Sequence, residues 1–447
     1  MIPFGLDYHP EKKPTGNSEL SRMAGFFGNL NYTYDNRYFA DFSVRADASS
    51  RFGADKRWAV FWSAGVGYNL HNEVFLKKLE WVSLLRLRAS YGVTGGQNFN
   101  PYQAMTTYRF ITDKWYGYGS GAEMLALGND DLKWQSTVQK NFGLDLGMWK
   151  DRLTLTFNYY HKLSENSLTD VTLPPSLGFP SYKENLGEVV NEGWEFTLRG
   201  FVVKKEDFNI MLSVNGAQNN NKLKKISNSL KAFNEEQDKQ VENKVMARYV
   251  EGQSLNTIWV VRSLGIDPAN GKELFLDKNG KRTYDWNADD YVAEATTDPR
   301  LYGNLGLGIF YRGFSLNTYV NYSLGEKAYN QTLVDRVENA DKHYNCDRRV
   351  LYDRWHKPGD ETFFKDVKDA SVTRPTSRFV QKNNYLNMTS LNVAYEFNPR
   401  LLEPLRIKYL KLAFYMTDLF RISTMKAERG LDYPFARTFT TSLQIRF

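Results

Sequence analysis

The chain has 447 residues, of which 42% are hydrophobic and 15% aromatic, and its formal net charge is +7. No run approaches the roughly 18 consecutive apolar residues that a membrane-spanning helix needs, which excludes a helical membrane protein. A membrane β-barrel is not excluded, because its strands face lipid with alternate residues only. Basic and acidic residues are interspersed, so the charge gives no indication of nucleic-acid binding. The one cysteine, Cys346, excludes an intrachain disulfide.

Apolar and polar residues alternate with period two along most of the chain, which predicts β-strands with one apolar face. The last ten residues, TFTTSLQIRF, place Phe439, Leu443 and Phe447 on one face and Gln444 and Arg446 on the other. One such strand fits a soluble sandwich equally well. The whole pattern predicts about thirteen strands. They are expected near residues 23–34, 36–48, 58–70, 83–94, 134–148, 152–163, 186–203, 207–220, 302–312, 313–324, 384–397, 406–417 and 438–447.

The lengths of the connections between these strands distinguish a predicted barrel from a predicted sandwich. Short connections alternate with long ones, and the long ones span 95–133, 164–185, 221–301, 325–383 and 418–437. Short turns at one end and long loops at the other are typical of outer-membrane barrels. The prediction is therefore an all-β, antiparallel transmembrane barrel whose long loops are extracellular. Because bacterial barrels have an even number of strands, an odd count predicts the C-terminal part of a larger barrel, with residues 1–22 in an extracellular loop.

Two features of the 221–301 loop carry further expectations. The stretch ELFLDKNGKRTY predicts a small hairpin, with Asn279 and Gly280 suited to a type I′ turn. The stretch DWNADD at 285–290 resembles a calcium loop but lacks its glycine and its final glutamate, so a solvated acidic loop is favoured over a metal site. The five histidines show no metal-ligand spacing, and neither a nucleophile elbow nor a phosphate loop occurs. No enzyme activity, metal or cofactor is predicted.

Several stretches, in this order, resemble the C-terminal barrel of the SusC/RagA family of TonB-dependent outer-membrane transporters. They are RADASSRFGADKRW, LRLRASYGVTGGQNFNPY, LGNDDLKWQSTVQKNFGLDLG, NEGWEFTLRG, EGQSLNTIWVVRSLGIDPANGK, RWHKPGD, TSRFVQKNNYLNMTSLNVAYEF and LDYPFARTFTTSLQIRF. The resemblance implies a plugged barrel of about 22 strands, of which this chain supplies about thirteen. The family's plug, TonB-contacting segment and signal peptide match nothing in this chain.

The same resemblance implies active import of an oligomeric nutrient, usually a glycan and sometimes a peptide, across the outer membrane. The implied partners are a SusD-like surface lipoprotein that forms a lid, the TonB complex, and outer-membrane lipid; no nucleic acid is expected. Phe447 resembles the terminal aromatic of the barrel-assembly signal. Two alternatives stay open at this point. A passive porin requires a complete barrel without a plug, and a surface enzyme or binding module requires a catalytic cluster in the loops.

Candidate site residues fall into three groups, each with a plainer alternative. Substrate stacking is predicted for rings in the long loops, although aromatic girdles and loop packing use the same residues: Trp115, Tyr116, Tyr118 and Trp259. Lid contact is predicted for Tyr344 and Trp355, because their loop is long. Basic residues on the polar strand faces either line the solute path or brace the plug, and bracing is favoured: Arg45, Arg86, Arg88 and Arg199.

Overall fold

The computed structural model contains one large antiparallel sheet, hereafter the wall. It describes residues 20–53, 56–97, 102, 104–117, 119–126, 128, 133–165, 168–172, 181–185, 187–226, 228–239, 243–341, 343–426 and 437–447. The wall has fourteen strands, and all but one follow each other in sequence order; the exception, Arg421–Ser423, pairs off this path. The predicted all-β antiparallel fold is confirmed.

The strands on the path agree with the predicted positions to within a few residues at almost every boundary. They are β1 (Met23–Tyr34), β2 (Tyr38–Ser49), β3 (Trp58–Asn69), β4 (Val82–Gly96), β5 (Gln135–Met148), β6 (Leu153–Glu165), β7 (Gly187–Lys204), β8 (Phe208–Ile226), β9 (Leu301–Tyr311), β10 (Phe314–Leu324), β11 (Tyr385–Glu396), β12 (Tyr409–Thr417) and β13 (Phe439–Arg446).

The register aligns the apolar residues of neighbouring strands on one face of the wall. Leu30 lies opposite Phe42, Phe157 opposite Phe196, and Leu412 opposite Leu443. Leu30, Phe42, Leu412 and Leu443 are exposed. The apolar face of the wall therefore has no packed layer of protein over these positions, as expected of strands that face lipid.

The two ends of the wall differ in their connections. At one end, two-residue and slightly longer turns join consecutive strands, and several of their residues have positive φ, for example Asp35 at 51° and Arg312 at 44° before Gly313 at 87°. Two central residues with positive φ match the twist of the flanking strands, which is the condition for a tight hairpin. This end is called the short-turn end below, and the other the long-loop end.

The long loops contain secondary structure of their own. Loop strands lie at Thr107–Tyr116, Gly119–Ala126, Leu168–Thr172, Ser181–Asn185, Thr257–Ile266, Glu273–Leu276, Arg282–Thr283, Tyr291–Thr296, Lys327–Tyr329 and Val380–Lys382. Helical segments of the long loops lie at Asn228–Lys239, Ala288–Asp290, Gln331–Leu333, Val334–Glu338, Arg349–Tyr352 and Ser377–Phe379. The short-turn end has three more, at Leu70–Asn72, Pro399–Leu402 and Glu403–Leu405. Among the described residues, no helix combines the length and apolar character needed to cross a membrane.

The predicted type I′ turn at Asn279-Gly280 is wrong, although the hairpin exists. Leu276 pairs with Arg282, so the connection has five residues, and only Gly280 has positive φ. The carboxylate of Asp277 explains the difference, because its Oδ1 accepts hydrogen bonds from the backbone N–H groups of Asn279 and Lys281, each at 2.8 Å. A local side-chain acceptor thus selects a wider turn.

The packed cores of the described chain lie in the loops. The larger one joins Val334, Val337, Val350, Phe364 and Phe379, all of them almost fully buried. A smaller one stacks Phe52 on Trp134 with ring centroids 4.5 Å apart. The long-loop end is therefore a folded structure that the wall carries.

Candidate functional site

A chain of polar side chains crosses four neighbouring strands on the face of the wall opposite the apolar one. Arg88 on β4 donates from Nε to Asp145 Oδ2 at 2.9 Å and from Nη2 to Asp145 Oδ1 at 3.1 Å. The same Nη2 donates to Asn158 Oδ1 at 3.1 Å, and Asn158 Nδ2 donates to Glu195 Oε1 at 3.2 Å. This polar ladder can contact a hydrated solute or a filling domain, and it stiffens the wall.

The other predicted basic residues differ in their surroundings. Arg45 pairs with Asp47 at 2.6 Å on the same strand. Arg86 donates from Nε to Asn69 Oδ1 at 2.7 Å and lies over the Phe39 ring. Arg199 is exposed and makes neither an ion pair nor a side-chain hydrogen bond with the described residues. Bracing of a plug by these residues stays a prediction, and Arg199 has the most unused hydrogen-bonding capacity.

Two long loops join above the wall into one unit, here called the loop module, which comprises residues 257–296 and 326–382. Backbone bonds cross between its parts: the Val261 N–H donates to Pro375 O at 3.2 Å. The Ser263 N–H donates to Ser377 Oγ at 2.9 Å, and Trp355 Nε1 donates to Pro268 O at 2.9 Å. These hydrogen bonds join the two loops into one packed unit.

A buried charge cluster fastens the loop module. Arg378 donates to Glu273 through Nε and Nη2 at 3.0 and 2.7 Å, and Nη2 also donates to Glu338 Oε1 at 2.7 Å. The exposed fractions of the three side chains are 3%, 7% and 0% respectively. Burial alone would lower the pKa of Arg378, but the charges of the two glutamates outweigh it and hold that pKa above its ordinary value. Arg378 therefore keeps its positive charge between the two glutamates.

Arg354 is a second buried arginine, and it lies next to Glu338 of this cluster. Its guanidinium donates to the backbone oxygens of Val337, Glu338 and Lys365, and burial lowers its pKa from the usual value. Neither Arg354 Nε nor Glu338 Oε2 has a hydrogen-bond partner among the described residues. Buried charges in this arrangement are costly unless all members are present, so the loop module depends on the complete set.

The predicted aromatic contact residues have different environments. Tyr344 is 77% exposed, whereas Trp259 and Trp355 are less than 10% exposed and pack inside the loop module. Trp115 and Tyr116 lie at the end of the loop strand Thr107–Tyr116, in backbone register with Ser120 and Gly119. Tyr118 lies outside the described residues. Phe447 follows β13 and is 75% exposed.

The DWNADD stretch forms a local turn. Asn287 Oδ1 accepts from the Asp289 N–H at 3.0 Å, and the buried Asp290 accepts from the Lys278 N–H at 2.9 Å. Within the described part of the chain, His, Cys, Asp and Glu residues form no group of three or more that could hold a metal ion.

Sequence analysis missed a cluster of asparagines at the long-loop end of β7 and β8. Asn219 and Asn221 both donate to Asn191 Oδ1, at 3.2 and 2.9 Å, and Tyr160 donates to Asn219 Oδ1 at 3.0 Å. Beside it lies a polar cavity of about 400 Å³, whose lining includes Gln253. The run Asn219-Asn220-Asn221 was the available signal, but it reads as a loop because asparagine is rare in strands.

Comparison with known proteins identifies the architecture. Residues 4–333 match the family described as TonB dependent receptor-like, beta-barrel. The chain belongs to this family. As a TonB-dependent receptor barrel, it is located in the outer membrane, which confirms the predicted localisation.

Individual similar proteins are also TonB-dependent receptors. The receptor barrel is 28% identical to the TonB-dependent receptor SusC of Bacteroides thetaiotaomicron, with 98% of this chain and 45% of SusC aligned. It is 26% identical to TonB-dependent receptor P3 of Formosa agariphila, with 97% and 46% aligned. The chain thus spans less than half the length of these relatives. It superimposes on the RagAB peptide transporter with a TM-score of 0.82 and 24% identity, covering 98% of this chain and 50% of that one, which shows a shared fold.

Proposed function

We propose that the receptor barrel is the outer part of a TonB-dependent importer for an oligomeric nutrient, with a glycan as the first candidate. The single observation that carries this proposal is membership of the TonB-dependent receptor family. The two-faced wall supports it, since an apolar face suits lipid while the opposite face carries the polar ladder. The short-turn end then faces the periplasm and the long-loop end faces the cell exterior.

Solute recognition is proposed at the long-loop end. The asparagine cluster and its polar cavity offer amide and hydroxyl groups that suit sugar hydroxyls. The loop strand with Trp115 and Tyr116 adds rings that can stack on sugar faces. A peptide is the second candidate, because asparagine amides match the donors and acceptors of a peptide backbone equally well, and RagAB is described as a peptide transporter.

A SusD-like lipoprotein is the proposed lid, and the loop module is its proposed seat. The exposed rings of Tyr344 and Tyr352, each 77% accessible, and the exposed Leu351 between the module's charged residues form its contact surface. Trp355, which is buried, supports this surface from inside rather than touching the lid. TonB would act on the full-length receptor from the periplasmic side.

The experiment compares uptake in cells that carry or lack the full-length receptor, using fluorescent oligosaccharides and oligopeptides. We expect the deletion strain to lose accumulation of one glycan class. Gln253→Ala, in the cavity lining, should lower that uptake, while Lys408→Ala, exposed at the short-turn end, should not. Loss of peptide uptake alone would replace the glycan with the peptide. Unchanged uptake of both would contradict the importer.

Two alternatives have distinct readouts. A passive porin would let sugars into vesicles that contain the purified full-length receptor, without any energy source. A surface enzyme would release shortened oligomers into the medium, and this release would stop when loop carboxylates are replaced. Neither result is expected, and either would contradict the proposal.

A further inference from the structure

A large groove lies at the short-turn end of the wall, across β6, β7 and β8. Its volume is about 1320 Å³, larger than a typical pocket for a drug-sized ligand. Five strand residues that line it come from the apolar face: Leu153 lies opposite Gly200, Gly200 opposite Leu212, and Leu198 opposite Val214. The floor of the groove is therefore on the lipid-facing side of the wall.

Gly200 and a β-bulge shape the floor of the groove. Gly200 interrupts a row of leucines, and a Cβ at this position would lie 3.1 Å from Leu153 Cδ1. Just beyond it, a register shift between Phe201 and Val203 marks a β-bulge, which leaves Val202 64% exposed. A bulge bends its strand locally, so the backbone forms a depression just beyond Gly200, where Leu153 packs against the glycine.

The rim of the groove carries an excess of positive charge. Its basic residues are Lys150, Arg152, Lys204 and Lys205, and its acidic residues are Glu80 and Glu206. Lys150, Arg152 and Lys205 are exposed and make no ion pair with the described residues. Lys204 lies 5.0 Å from the Phe201 ring centroid. Within the described part of the chain the rim thus has two more basic than acidic residues, and Lys150, Arg152 and Lys205 have no salt-bridge partner there.

Two tryptophans complete the rim. Trp81 is 47% exposed and Trp149 is 54% exposed, and the backbone N–H of Trp149 donates to Trp81 O at 2.7 Å. Exposed tryptophans at the edge of an apolar membrane surface mark the level of the lipid head groups. The rim cations thus lie at head-group depth, and the groove extends from them along the hydrocarbon.

We infer that this groove is a specific binding site for an anionic glycerophospholipid. The acyl chains lie over Gly200 between Leu153 and Leu212, and the phosphate lies among Lys150, Arg152 and Lys205. Lipid surrounds the apolar face of an outer-membrane barrel, and the excess of cations on the rim favours an anionic head group. This inference rests on the membrane location of the chain and is independent of the imported solute.

Native mass spectrometry of the detergent-solubilised full-length receptor tests it, with phosphatidylglycerol and phosphatidylcholine as probes. The wild type should bind one phosphatidylglycerol at least about tenfold more tightly than phosphatidylcholine. The variant Lys150→Gln/Arg152→Gln/Lys205→Gln should weaken phosphatidylglycerol binding roughly ten- to hundredfold. Its matched control, Arg400→Gln/Arg406→Gln/Lys408→Gln, removes the same charge from the connection between β11 and β12 and should bind like the wild type.

A second variant tests the groove itself and keeps the rim. Gly200→Leu fills the floor, so it should reduce the binding of both probes several-fold or more. The mobility shift of the unheated receptor in SDS gels verifies that each variant forms a folded barrel. Equal binding of the two probes by the wild type would overturn the inference. So would unchanged phosphatidylglycerol binding by the rim variant, or unchanged binding of both probes by Gly200→Leu.

Discussion

Replacing Arg378 by methionine should loosen the loop module without affecting the wall. Arg378 is the only group that contacts both Glu273 and Glu338 in the described structure, at 2.7 Å each. Methionine fills much of the same volume but leaves two buried carboxylates without their counter-charge. Breaking a buried ion pair by removing one partner costs about 3–5 kcal/mol. The equilibrium constant for opening the loop module should then rise roughly 100- to 4,000-fold.

Hydrogen–deuterium exchange of the full-length receptor measures this opening. The amides of Val261 and Ser263, which bond to Pro375 and to the Ser377 side chain, should exchange faster in Arg378→Met by that factor. Exchange in β6 and β7 should stay unchanged. Arg262→Met is the control, since its pair with Glu294 is at 3.6 Å and exposed, and such pairs contribute about 0–1 kcal/mol. Equal exchange in Arg378→Met and Arg262→Met would refute the reasoning.

Three further outcomes are expected. Gly271→Ala should destabilise the loop module by about 1–3 kcal/mol more than Gly280→Ala in the same exchange experiment. Both glycines have positive φ, but only a Cβ at position 271 would lie 2.6 Å from the Trp355 ring. Equal effects of the two substitutions would contradict this reasoning. Hydrogen bonds from Arg349 lower the pKa of Asp347 to about 2, so the segment 343–356 should keep its stability above about pH 4 and lose it as the pH falls toward 2. Pepsin cleavage should show this loss in the wild type, and the same loss in Asp347→Asn would refute it. Arg88→Met should reduce the free energy of unfolding of the barrel by about 1–3 kcal/mol, because it removes the hydrogen bonds to Asp145 and Asn158. The SDS-gel mobility shift should then disappear at a lower temperature than in the wild type. An unchanged temperature would exclude a structural role for the ladder.

The strands of the wall could be predicted because apolar and polar residues alternate every two residues, which is also the period with which side chains alternate between the two faces of a strand. In β13, alternate residues from Phe439 to Ile445 face the apolar side, and Leu443 lies opposite Leu412 as the pattern requires. The short polar turns predicted that consecutive strands are neighbours in the sheet, which gave their order. The extension of β8 to Ile226, six residues beyond the predicted 220, was missed because the prediction ended the strand inside the run Asn219-Asn220-Asn221, whose asparagines favour loops. Their side-chain bonds to Asn191 compensate for their low strand propensity.

The loop module could not be predicted, since its contacts join residues that are far apart in the chain. Arg378 bonds to Glu273 across 105 positions, and no local pattern marks either residue as a partner of the other. The expectation that loop tryptophans are accessible for contacts has the same origin. Trp259 and Trp355 read as exposed rings in polar loops, but these loops fold on each other and bury them. Among the three candidate rings whose side chains are described, Tyr344 alone has the exposure that its predicted role needs.

We propose that the full-length receptor imports an oligomer by a mechanism that consumes energy through TonB. The most direct test uses the fluorescent oligomer whose accumulation is lost in the deletion strain. Its accumulation is measured in cells carrying the receptor, with and without a protonophore that collapses the proton gradient. The account predicts that accumulation falls to the level of the deletion strain when the gradient is collapsed or when TonB is deleted. Accumulation that persists under both conditions would contradict it and would identify a passive pore.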